Sequence, residues 1–131
     1  MSGHIHITPL GGIAGDMFVA GMLDAFPEFK QQILQTTGLI LPDCNAFFEE
    51  VFKGGIRAQY FKVPKQSAKT PVYYTDMDSI LQKVELPAQV QFTSRTMLKL
   101  LAEAEAEIHG IPLVKVHFHE IADWDTLADL T

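Results

Sequence analysis

Polar and apolar residues alternate between His4 and Pro9, with His4 and His6 set against Ile5 and Ile7, and this period of two predicts a short strand. A glycine-rich turn, Gly11-Gly12-Ile13-Ala14-Gly15-Asp16, follows it. Phe18, Met22 and Phe26, flanked by Val19 and Leu23, then recur at steps of three and four, which predicts a helix with an apolar stripe. Pro27 breaks that helix and opens a continuation carrying Phe29, Ile33 and Leu34, with Thr37-Gly38 as its expected stop. Leu39 to Cys44 reads as connector. The aromatic and β-branched runs Phe47–Phe52 and Ile56–Val63, separated by Lys53-Gly54-Gly55, predict a β-hairpin.

The polar, punctuated stretch Pro64 to Pro71 reads as a mobile linker. Thr75-Asp76-Met77-Asp78 starts a short helix ending near Val84. Pro87 opens a longer one with Val90, Met97, Leu101, Ala104 and Ile108 on its predicted stripe. Gly110 and Pro112 end it, and Leu113 to Val116 suits a strand that His117 and His119 continue. A last helix follows Asp123 or Asp125 as cap, and with no terminating glycine or proline it reads as cut in mid-element. The order strand, helix, hairpin, helices, strand, helix indicates an α/β (α+β) fold. The expected architecture is a small sheet with helices on one face, a ferredoxin-like βαββαβ arrangement.

Composition narrows the class. At 131 residues the chain fits one domain, 1–131, able to bury a core without staples. No apolar run is long enough to span a membrane, and the start, Met1-Ser2-Gly3-His4, lacks the pattern of a secretory leader. Cys44 stands alone, so no intramolecular disulfide is available; it reads as a small buried residue in a cytoplasmic protein. The net charge of −6, without a basic cluster, argues against nucleic acid and anionic membrane as partners.

Two stretches carry candidate chemistry. In a strand, His117 and His119 would project to one face with Cα atoms roughly 6–7 Å apart, so both rings could reach one ion. Glu120 adds a hard oxygen ligand or an acceptor that fixes a histidine tautomer. His109 sits in a last helical turn, where the helix dipole alone would account for an imidazolium. Glu103, Glu105 and Glu107, at steps of two, spread around the helix as solvated charge. The glycine turn before the first helix is open to two readings. It is a plain turn with Asp16 as cap, or an anion cradle at Gly12, Gly15 and Asp16 in which a cation must bridge carboxylate and phosphate. The Walker lysine is absent.

Gly12-Ile13-Ala14-Gly15-Asp16-Met17-Phe18 resembles the amino-terminal Ser-Gly-Ile-Ser-Gly-Asp-Met-Phe signature of LarC-type nickel insertion proteins. Leu101-Ala102-Glu103-Ala104-Glu105-Ala106-Glu107-Ile108-His109-Gly110, followed by Val116-His117-Phe118-His119-Glu120, is similar to that family's second signature. The hairpin turn Lys53-Gly54-Gly55-Ile56 falls in the expected place between them. The resemblance implies a nickel insertase, a cyclometallase of the lyase class. Such an enzyme places nickel in pyridinium-3,5-bisthiocarboxylic acid mononucleotide, making the nickel-pincer cofactor of lactate racemase. It also implies that CTP is consumed with a divalent ion (Mg or Mn) assisting, that His117, His119, His109 and Glu120 meet nickel, and that the Gly12–Asp16 loop meets the nucleotide phosphate.

Departures are local. Pro9-Leu10-Gly11 replaces a usual Cys-Phe-Ser, and Ala122 and Trp124 replace a glycine and a smaller residue after the second signature, while Asp125 is retained. Family members are longer. The resemblance therefore covers an amino-terminal region, with the nucleotide-using region expected outside this chain as a partner. The alternatives are a non-catalytic nickel-binding carrier and an interaction domain of the same fold. Whether the chain acts alone or as an oligomer is not written in its sequence.

Overall fold

The computed structural model describes residues 3–131. Met1 and Ser2, where the reading of the start begins, lie outside the described residues. The elements in chain order are α1 (Gly15–Ala25), a 3₁₀ turn (Pro27–Phe29), α2 (Lys30–Ile40), β1 (Phe47–Lys53), β2 (Ile56–Lys62), α3 (Tyr74–Lys83), α4 (Ala88–His109), a second 3₁₀ turn (Leu113–Lys115) and α5 (Trp124–Asp129). The class is mixed helix and sheet, as the pattern predicts. The sheet, however, is only the antiparallel pair β1–β2.

The hairpin forms where Lys53-Gly54-Gly55 breaks the apolar runs. Gly54 and Gly55 both take positive φ, 57° and 78°, the geometry that a tight two-residue turn demands and that glycine adopts at no steric cost. Register follows, pairing Phe47 with Lys62 and Lys53 with Ile56. The directly opposed Phe48 and Phe61 stack with ring centroids 4.8 Å apart. Arg57 of β2 ties this hairpin to α1, reaching Asp24 at 2.8 Å and Glu50 at 3.1 Å.

Two expected strands do not form. Residues 4–9 form no strand and pair with nothing among the described residues, so their alternation has no ladder to enter. Leu113–Lys115 winds into a 3₁₀ turn, and only His117 bridges, to Tyr73. The ferredoxin-like sheet is therefore reduced to its central hairpin.

Other boundaries shift for local reasons. Gly38 does not stop α2, which runs to Ile40. A side chain at Gly38 would meet the Asn45 amide at 3.0 Å, and Asn45 is held there by donating to the Leu34 carbonyl at 2.9 Å. Cys44 is exposed, not buried. The stretch Pro64–Pro71 is pinned. Buried Gln66 accepts from the Asp43 and Cys44 amides and donates to the Cys44 and Pro64 carbonyls, while Asp43 accepts from Ser67 and Ala68.

The core joins Phe61 of the hairpin to Met77 and Leu81 of α3, Leu98 and Ala102 of α4, Val116 and Phe118, and Leu127 of α5. Arg95 of α4 grips Asp78 of α3 through two bonds of 2.7 and 3.0 Å. The buried line of α4 is Ser94, Leu98 and Ala102, one position away from the predicted stripe. Met97, Leu101 and Ile108 are left exposed.

Candidate functional site

Three histidines meet beside the carboxyl end of α4. His109 occupies its last turn, and Gly110 ends the helix in the left-handed region at φ 62°, with the Ile111 amide returning to the Ala106 carbonyl at 3.1 Å. That cap turns the chain back through Pro112 and the second 3₁₀ turn. Residues 116–118 then dock against 72–74, with the Tyr74 amide on the Val116 carbonyl at 3.1 Å and the Phe118 amide on the Val72 carbonyl at 2.9 Å. Val116 and Phe118 are buried, so alternation sends His117 and His119 to the other side. A full strand is not needed for this. One bridge and two inward apolar side chains suffice.

The ring centroids of His117 and His119 lie 4.8 Å apart, and those of His109 and His119 6.0 Å apart. Tyr73 meets His117 edge-on at 5.2 Å. Glu105, one turn before His109, lies 3.2 Å from its Nε2. Glu120 is exposed and makes no hydrogen bond or ion pair among the described residues. Among those residues no three His, Cys, Asp or Glu side chains already converge tightly enough to hold a metal ion.

The glycine turn stands at the other end of α5. Gly12 has φ 103° and open space around it. Asp16 is not the cap of α1; Ala14 holds that position, and the Asp16 carboxylate accepts from the neighbouring Met17 amide at 2.8 Å. Gly15 is pressed against Asp129, whose Cγ lies 2.8 Å from where a Gly15 side chain would begin. Burial above all, then the charges of Asp125 and Asp16, push the Asp129 carboxyl up to about 7, against a smaller opposing effect of the Asp16 amide. Its Oδ1 is buried without a donor among the described residues. Asp123 is the cap of α5, accepting from the Trp124 amide at 2.7 Å.

From the histidine set the chain runs on into α5, whose Asp129 reaches the glycine turn. Asp125 is six residues from His119, at most about 20 Å of extended chain, and it acts electrostatically on Asp129 beside Gly15. Sequence reasoning singled out the histidines but missed Glu105, Tyr73 and Asp129. The Glu105–His109 spacing of four was a visible signal, since such residues share a helix face. Tyr73 and the Asp129–Gly15 contact carry no local signal.

A groove of about 620 Å³, lined almost wholly by apolar side chains of α1, the turn after it, α2 and α4 together with Ile5 and Leu130, is separate from the histidines and touches this cluster only at Asp129. Among the described residues no helix is long and apolar enough to cross a membrane.

The family model described as "Nickel insertion protein" matches residues 5–131. A pyridinium-3,5-bisthiocarboxylic acid mononucleotide nickel insertion protein of Desulfitobacterium hafniense is 31% identical over 125 residues, 95% of this chain and 31% of that protein. The protein of the same name from Staphylococcus epidermidis is 29% identical over 132 residues, 99% of this chain and 33% of that one. The chain therefore spans about a third of the length of the curated relatives it matches. No solved structure matches it.

Proposed function

Since the chain belongs to the nickel insertion protein family, we propose that it handles the metal cargo of that chemistry, with His117, His119 and His109 receiving nickel and Glu120 within reach. The observation that carries this reading is the meeting of three imidazoles from two chain segments, His109 on one side of the Gly110 turn and His117 and His119 on the other. Imidazole suits Ni²⁺ among the first-row ions. His109 and His119 are exposed, so their side chains change rotamer freely and can close on an ion that must later be passed on. Glu105, 3.2 Å from Nε2 of His109, is near enough to serve as the outer partner such a ligand needs.

The substrate named in the relatives, a pyridinium bisthiocarboxylate mononucleotide, carries a phosphate that the Gly12–Asp16 turn could take. Asp16, Asp125 and Asp129 gather there, so a phosphate would need a divalent cation (Mg or Mn) between it and the carboxylates. CTP, if used, would be bound by polypeptide beyond the region matched here. The other reading, a nickel carrier without chemistry of its own, predicts nickel binding but no binding of the mononucleotide.

Calorimetric titration with Ni²⁺ at neutral pH tests the assignment. His117→Ala is expected to weaken binding by more than about 100-fold, beyond the 10–100-fold typical of losing an outer partner. Asp125→Asn should change it less than twofold. Equal losses in the two variants would remove the histidines as the metal's ligands.

A further inference from the structure

We propose that the phosphate of a pyridinium mononucleotide is bound in a polar pocket that shares Tyr73 with the histidine set. The identity of the ligand rests on the reading above; the pocket itself does not. It measures about 350 Å³, within the range of small-molecule sites, and is lined by Lys69, Thr70, Tyr73, Ser79, Lys83 and Trp124, with Asp76 among them. Asp76, Ser79 and Lys83 recur at steps of three and four, so they share one face of α3, while Met77 and Leu81 are buried in the core. Lys69 and Thr70 belong to the stretch that Gln66 and Asp43 pin. Both walls are therefore fixed by the fold.

Charge and hydrogen bonding describe what the pocket takes. Neither lysine has an ion-pair partner among the described residues. Exposed lysines are ordinary; the tryptophan beside them is not. Trp124 is 8% exposed, and its Nε1 is buried without an acceptor among the described residues. An indole nitrogen only donates, so what it lacks is an oxygen. A buried donor left unpaired calls for one. Two ammonium groups, two hydroxyls and a spare N–H make a donor set for phosphate, against the single opposing carboxylate of Asp76. The glycine turn has the contrary balance, with Asp16, Asp125 and Asp129 near it, and takes a phosphate only with a cation between.

The remaining features fit the rest of such a ligand. Asp76 is an acceptor for ribose hydroxyls, and Tyr73 supplies an aromatic ring on which a pyridinium cation stacks. Tyr73 meets His117 edge-on at 5.2 Å and pairs with it in an isolated backbone bridge. The Val72 carbonyl, on the pocket's wall, accepts from the Phe118 amide at 2.9 Å and ties that wall to the histidine segment. A nucleotide held by its phosphate among the lysines thus brings its ring beside an imidazole proposed to receive nickel.

Calorimetric titration without nickel tests the proposal, with nicotinate mononucleotide, a pyridinium ribotide carrying one ring carboxylate, as the probe. It is expected to bind saturably and at least about tenfold more tightly than nicotinate riboside, which lacks the phosphate. Lys69→Ala and Lys83→Ala together should weaken it at least about tenfold. Trp124→Phe, which keeps an aromatic ring and removes the donor, should weaken it about fivefold. Lys62→Ala, at an exposed position on the hairpin, should leave it unchanged. Trp124 is the chain's single tryptophan, so its emission should shift with the mononucleotide along the same isotherm. Absence of saturable binding, equal affinity for the riboside, or unchanged affinity in the lysine pair or in folded Trp124→Phe would overturn the proposal. So would binding that requires Mg²⁺ and is lost in Asp16→Asn, which gives the phosphate to the glycine turn. If circular dichroism shows Trp124→Phe unfolded, the emission of the parent decides the indole's part, and constant emission at saturation overturns it. With no nickel present, a negative result leaves the imidazole assignment standing, and a chain that binds the mononucleotide but not nickel would fail that assignment alone.

Discussion

The two ends of α5 solve opposite problems. Before it in the chain stand three imidazoles, two of them exposed, with ring centroids 4.8 and 6.0 Å apart and with Glu105 and Tyr73 as their side-chain neighbours. At its carboxyl end one half-buried carboxyl is wedged against Gly15 and pushed up to about 7. The first arrangement leaves the side chains adaptable on a buried frame, which suits the proposed transfer of a metal. The second fixes a polar group where it lacks a donor, which suits a contact waiting to be completed. Exposure and burial, more than residue type, distinguish the two.

The largest effect should come from breaking the frame of the histidine end. Phe118 is fully buried between His117 and His119, and Phe118→Ala should cost about 3–5 kcal/mol of stability. Denaturant unfolding checks this. A loss below about 1 kcal/mol would mean that the histidine segment is not anchored by its core residue.

The aspartate end should give a smaller, pH-dependent effect. An unfolded aspartate ionises near 4, whereas Asp129 keeps its proton until about 7. Between those values the folded state binds more protons, so stability is highest at low pH, falls as pH rises toward 7, and stays lowered above it. Asp129→Asn should remove that slope and be more stable than the parent at pH 8.5 by about 2 kcal/mol, allowing for the part of the carboxyl that reaches solvent. Thermal melts at pH 5.5 and 8.5 measure it; an unchanged slope would contradict the buried carboxyl. The smallest effect is expected at Glu105→Gln, which keeps the shape of the outer partner and removes its charge. Calorimetry should show Ni²⁺ affinity falling about tenfold, and no change would release Glu105 from that role.

Much of this contrast was legible in the sequence. The alternation through Val116, His117, Phe118 and His119 placed both histidines on one side correctly, because burying two apolar residues at a step of two fixes the other two even without a ladder. The hairpin was equally readable, since Gly54 and Gly55 supply the one turn geometry the flanking runs accept. What failed depended on distant partners. Residues 4–9 have strand alternation but nothing to pair with among the described residues. Pro64–Pro71 has a linker's composition, yet Gln66 reaches back to Asp43 and Cys44 and holds it. Asp129 gave no local warning, because its environment is made by Gly15, more than a hundred residues earlier.

Nickel anomalous scattering from crystals of the protein soaked with Ni²⁺ tests the central claim most directly. The account predicts one strong peak about 2 Å from nitrogens of His117 and His119, with His109 turned toward it. A peak among Asp16, Asp125 and Asp129 instead, or no peak within reach of the three imidazoles, would contradict it.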